Sequence, residues 1–132
     1  MYLICKPRNK IKIELLTEND MFFIKKKALG IFFNNIKTDL CINSNEEYYD
    51  IKTEVRLKLG ITNDLGFIQE AFNIGLLVVD NFIIKNLDHI VFGIAYNIYV
   101  DNHERLEDSE HLHRLYQKVY ETYLCVLDKY KI

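Results

Sequence analysis

Residues 87–100, LDHIVFGIAYNIYV, restrict the fold more than any other stretch of this chain. Apart from Asp88, His89 and Asn97, every position of the stretch is apolar or aromatic. A helix that is apolar all round cannot lie on a surface and must be enclosed by other elements. The stretch is too short to cross a bilayer, which takes about 20 residues. Its length favours a helix over a buried strand, and Asn86, Asp88 and His89 suit a helical first turn. The expectation is a central core helix with neighbours packed on all sides. Gly93, set among large residues in its middle, implies that a neighbouring element crosses closely there.

The rest of the chain supplies helices to surround it. Residues 2–5 and 11–16 read as a small hairpin or extended N-terminal arm, made basic by Lys6, Arg8, Lys10 and Lys12. Thr17 and Asp20 are spaced as a capping box. Behind them Met21, Ile24, Ala28, Phe32 and Ile36 recur at helical spacing, widened by Phe22, Leu29 and Phe33. Gly30 costs a helix interior about 1 kcal/mol, which predicts a kink or close approach. Ser44 with Glu47 is a second capping box, heading a stripe of Tyr48, Ile51, Val55 and Leu59 that closes at Gly60. Thr62, Asn63 or Asp64 caps a further helix through Leu65, Ile68, Phe72, Leu76 and Val79, with Gly75 a break point. Residues 80–86 are a short connection with room for one turn. An acidic linker from Asp101 to Glu110 leads to a last helix capped by Asp108 or Ser109. Its stripe is Leu112, Leu115, Val119, Tyr123, Val126 and Tyr130. The fold class is therefore all-α, a compact helical bundle, with the 132 residues forming one domain: an arm at 1–16 and a bundle at 17–132.

Composition narrows the function. A hydrophobic share of 49% with 27% charged residues is that of a globular protein rather than a disordered one. The net charge of −2 offers no general attraction for nucleic acid. Cys5, Cys41 and Cys125 are odd in number and widely spaced, which reads as reduced thiols in a cytosolic compartment. The N-terminus has no apolar run long enough for a signal peptide, and the last residues form no membrane anchor, so a soluble protein is expected. His111 and His113 point about 200° apart on a helix and cannot share a metal. Glu110-x-x-His113 has the spacing of a di-metal bundle motif, but such sites need two copies and more glutamates. There is no glycine-rich phosphate loop, and no cysteine has a histidine nearby in sequence to activate it. No cofactor, metal or catalytic group is expected, and the chain is read as non-enzymatic.

Three segments carry a resemblance. Tyr48-Tyr49-Asp50-Ile51-Lys52, running on to Leu57-Lys58-Leu59-Gly60-Ile61, resembles the second helix and glycine turn of the poxviral Bcl-2-like family. Leu87-Asp88-His89-Ile90-Val91-Phe92-Gly93-Ile94-Ala95-Tyr96 is similar to that family's buried helix. Glu104-Arg105-Leu106-Glu107 and the tyrosine-rich segment through Glu121-Thr122-Tyr123 resemble its C-terminal helix pair. Together they span roughly residues 45–130. The chain departs from the pattern in having no tryptophan after the central helix. It also carries Asn73-Ile74-Gly75-Leu76 where cellular relatives have Asn-Trp-Gly-Arg, so the arginine that pairs with a death-motif helix is missing.

The resemblance implies a virulence factor in the host cell cytoplasm that binds host signalling proteins and inhibits innate immune signalling of the NF-κB or interferon type. The alternative within the family is an anti-apoptotic protein that sequesters death-motif helices. The groove would then be lined by Tyr48, Ile51, Lys52, Val55, Arg56, Leu59, Ile68 and Phe72, with Lys52 and Arg56 at its rim. Phe22 and Phe33 would form a face for a homodimer. Neither nucleic acid nor membrane is an expected partner. Outside the family, Arg105-x5-His111 resembles the signature of HEPN ribonucleases, and the acidic linker suits an inhibitor that mimics phosphates toward a nuclease.

Overall fold

The computed structural model describes residues 14–101 and 109–131, so residues 1–13 of the N-terminal arm and the linker residues Glu104, Arg105, Glu107 and Asp108 lie outside the described residues. At the end of the arm Glu14 and Leu15 are helical rather than extended, and Leu16 is buried in the core. Within them the chain is all-helical and compact. The helices are α1 (Glu18–Ala28), α2 (Phe33–Asp39), α3 (Asn45–Leu59), α4 (Gly66–Asn73), α5 (Asn81–Lys85), α6 (Leu87–Asp101) and α7 (Ser109–Tyr130).

Local chemistry sets most of these boundaries. The Thr17 hydroxyl accepts from the Asp20 amide, and the Asp20 carboxylate accepts from the Thr17 amide, each at 3.0 Å. The box is therefore complete, and α1 starts where its side chains dictate. At α3 the Ser44 hydroxyl accepts from the Glu47 amide at 3.1 Å. The reciprocal contact reaches one residue further back, with Glu47 accepting from the Asn43 amide at 3.0 Å. Ser44→Ala should lower unfolding free energy by about 1 kcal/mol, measured as a shift in the urea midpoint at constant slope. A midpoint equal to the parent's would show that the cap contributes nothing to α3.

The helical stripe expected to run from Met21 to Ile36 is instead two helices. Gly30, at φ +72°, closes α1 with the Ile31 amide bonded back to the Lys26 carbonyl at 3.1 Å. That left-handed closure turns the chain out of the helix, and α2 begins three residues later. Asn97 of α6 pins the connection. Its amide nitrogen donates to the Ile31 carbonyl at 2.9 Å, and its oxygen accepts from the Phe33 amide at 3.1 Å. Both polar ends of a buried side chain are satisfied by one loop, which has no helical partners of its own there. Gly75, at φ +82°, likewise ends α4, so Leu76 and Val79 do not continue it.

The core forms around α6, which packs along α7; α1 lies on α4, and α4 on α7. Phe23, Ile24, Tyr48, Val55, Phe67, Phe72, Val91 and Tyr123 are buried at its centre. Each such side chain contributes on the order of 1.5–3 kcal/mol of apolar transfer. Two tyrosines of α7 also close helix ends: Tyr123 donates to the Ala28 carbonyl at 3.0 Å, and Tyr130 to the Asn73 side chain at 3.2 Å. Gly93 touches the Gly30 backbone, so α6 and the end of α1 meet backbone to backbone. The expected close crossing at Gly93 is present. The expected burial of α6 on every side is not. Phe92 and Tyr96, one turn apart, stay exposed, and no helix among the described residues covers that face.

Candidate functional site

A cluster of charges sits where α1, α3, α6 and the α3–α4 turn converge. Lys52 and Arg56, one turn apart on α3, both face Asp64 in that turn. Lys52 Nζ donates to Asp64 Oδ2 at 3.2 Å and also to Asp101, the last residue of α6. Lys27 of α1 lies 3.7 Å from Asp64 and donates to the Tyr48 hydroxyl at 3.1 Å. Arg56 approaches Asp64 at 3.7 Å and donates to the Thr62 carbonyl. The Tyr49 hydroxyl donates to Asp101 at 2.9 Å. The side chains of Lys27, Lys52 and Asp64 are 3%, 9% and 9% exposed. Such ions persist away from water only as a mutually paired set.

Burial by itself would raise the Asp64 pKa, but Lys27, Lys52 and Arg56 outweigh it and hold the carboxyl below its ordinary value. The same burial, helped by the Asp101 charge, pushes the Tyr48 hydroxyl well above its usual range and keeps it protonated. One polar atom is left over. Asp64 Oδ1 is buried and accepts no hydrogen bond, and Arg56 Nη1 is the cation that faces it, at 3.7 Å. Asp64 also lines a cavity of about 290 Å³. Lys52, Arg56, Asp64, Asp101 and Lys118 supply its charged lining, and Leu65, Ile98, Leu115 and Val119 its apolar side.

The eight groove residues expected from the sequence are brought together, but as core rather than as an open cleft. Tyr48, Val55, Leu59, Ile68 and Phe72 are fully buried against one another and against α1 and α7. Ile51 is half-buried, and Lys52 and Arg56 turn inward to Asp64 instead of standing at a rim. Phe33 packs its ring 5.8 Å from that of Tyr48, and Phe22 lies beneath the Lys26 ammonium at 4.9 Å, both half-buried. His111 is half-buried with its ring 6.0 Å from Tyr99. Arg105, with which it would pair in a HEPN-like site, lies outside the described residues. Among the described residues, no group of three histidines, cysteines or carboxylates could hold a metal. No helix there is long and apolar enough to cross a membrane.

A second surface was not singled out by the sequence. Phe32 precedes α2, and Phe92 and Tyr96 lie on α6, at 42%, 43% and 36% exposure. The Phe32 and Tyr96 rings are 5.3 Å apart, and Phe92 stacks on Tyr96 at 6.1 Å. Leu112, His113 and Tyr116 of α7 line a depression together with Phe92. The signal was the i, i+4 spacing of Phe92 and Tyr96, hidden because every face of the stretch was apolar. No family model, curated protein or solved structure matches this chain.

Proposed function

We propose that this chain is a non-enzymatic docking protein that binds a protein partner through the aromatic face of Phe32, Phe92 and Tyr96. The exposure of three mutually contacting aromatic rings is the observation that carries this reading. Contiguous exposed apolar surface on a folded protein marks interaction sites, and aromatic side chains dominate their binding energy. The poxviral Bcl-2-like resemblance supplies the partner class: a host component of innate immune signalling, met in the host cytoplasm. Capture of a death-motif helix is the weaker reading, because Tyr48, Val55, Leu59, Ile68 and Phe72 are occupied by the core.

The test is an NF-κB-driven reporter in stimulated cells expressing either the parent or Phe92→Glu/Tyr96→Glu. The parent should suppress the reporter and the double variant should not. Circular dichroism must show the variant folded, since each ring also packs on its neighbours and its loss costs some stability. Equal suppression by a folded double variant would remove the aromatic face from the reading. Absence of suppression by the parent would remove innate signalling from it.

A further inference from the structure

We propose that the cleft between α1, the α2–α3 connection and α3 is the seat of the chain's own basic N-terminal arm, residues 1–13. The cleft holds about 300 Å³ and has an apolar floor of Leu40, Ile42 and Ile51. Leu40 and Ile51 are only half-buried, so a further apolar segment laid there would remove more of their surface from water.

The walls of the cleft are acidic. Asp20, Glu47 and Glu54 line it, and Lys58 is its one cation among the described residues. Lys58 is shared between Asp20 at 2.7 Å and Glu54 at 3.3 Å. Glu47 and Glu54 are exposed, and Asp50, one turn from each on α3, is a further exposed carboxylate. A carboxylate offers about four acceptor sites, so the single contacts that Glu47 makes to the Asn43 amide and Glu54 to Lys58 leave both open to a new cation. The floor calls for apolar side chains and the walls for cations.

The arm carries both. Residues 1–13 hold Lys6, Arg8, Lys10 and Lys12 and no acidic residue, with Leu3, Ile4, Ile11 and Ile13 among them. Position in the chain favours the arm over an outside partner. Thr17, four residues past residue 13, itself lines the cleft. Reach is not limiting: even wound as a helix, the arm would span about 20 Å, against about 16 Å from Glu47 to Lys58 along α3. A segment joined so close to its seat meets it at an effective concentration in the millimolar range. Exposed ion pairs that are weak singly can then hold it together with the apolar contacts. Docking would cover the cleft floor and neutralise the acidic side of α3.

The experiment is carbodiimide coupling of the full chain, which joins a lysine amine to a carboxylate beside it, mapped by peptide mass spectrometry. Lys6, Lys10 or Lys12 should be joined to Glu47, Asp50 or Glu54 within one chain. The yield should fall several-fold at roughly 1 M salt, where the screening length is about 3 Å. Amide shifts of the ¹⁵N-labelled protein give a second measurement. Lys6→Glu/Lys10→Glu/Lys12→Glu should move the amides of residues 40–42 and 47–54. Adding Asp50→Lys/Glu54→Lys, at exposed positions, should return the amides of residues 40–42 toward the parent's. Absence of those cross-links would overturn the proposal, as would amides at 40–42 that ignore the arm substitutions. Cross-links found only in a product of twice the chain mass would overturn it too, by giving the cleft to the arm of a second copy. Phe92→Glu/Tyr96→Glu should cross-link as the parent does, so this test stands apart from the docking test.

Discussion

Gly93→Ala is expected to destabilise the fold by about 3 kcal/mol or more, at the upper end for a single added methyl in a packed core. The reason is what the methyl would meet. A Cβ on Gly93 would overlap the Gly30 carbonyl oxygen, which is backbone and cannot rotate aside. The contact is reciprocal: a Cβ on Gly30 would strike the Ile90 carbonyl, and Gly30 already holds φ +72°. To admit either methyl, α6 must move away from the end of α1, loosening Val91, Ile94 and the Asn97 clamp together. Gly93→Leu should be worse still. Gly60→Ala is the matched control. It shares the left-handed backbone, at φ +71°, but nothing lies within 4 Å of its added Cβ. Only conformational strain remains there, about 1–2 kcal/mol. Urea midpoints at constant slope will separate the two effects. A Gly93→Ala protein as stable as the parent would mean that α6 does not cross α1 at this point.

The second large effect lies in the charge cluster. Asp64→Ala should cost about 3–5 kcal/mol at neutral pH, because it leaves buried cations uncompensated. Lys27 suffers most: its side chain is 3% exposed, and its remaining partner is the neutral Tyr48 hydroxyl. The loss should depend on pH. Asp64 has a folded pKa below its ordinary value of 3.8, so it binds its proton more weakly folded than unfolded. Its contribution is complete above that ordinary value and vanishes as pH falls through the lower folded pKa. Parent and Asp64→Asn curves of stability against pH should therefore run apart at neutral pH and converge below about 3.8. Asp20, held low by Lys58 against its burial, shifts the same way in both proteins and cancels in the comparison. Curves that stay parallel through the acid range would show that Asp64 is not paired in the folded state.

Much of the helical order was legible because it rests on contacts between residues three to five apart. Thr17 with Asp20, Ser44 with Glu47 and the Gly60 turn are bonded within a few residues, and α1 and α3 start and α3 stops as those side chains require. The bounds of α6 and α7 follow from apolar spacing in the same way. Gly93 was readable too, since a glycine amid large residues in a core helix implies a close neighbour. Which neighbour it meets was not, because Gly30 lies 63 positions away and the two are joined only by packing.

The site depended on tertiary structure almost entirely. Lys27, Lys52, Asp64 and Asp101 come from four separate segments and are unremarkable surface residue types in sequence. Lys52 and Arg56 carry a spacing that looks like the wet rim of a helix. They turn inward because the tight Gly60 turn brings Asp64 back beneath them. The aromatic face shows the same limit. Composition alone called for residues 87–100 to be enclosed, and about half of them are buried. Which side remained open depended on how many helices the chain could bring around α6, a matter of available surface rather than of local pattern. Capping and periodicity act through near neighbours and survive in the sequence; burial of a charge or exposure of a ring is decided by segments far apart in the chain, and only the folded structure brings them together.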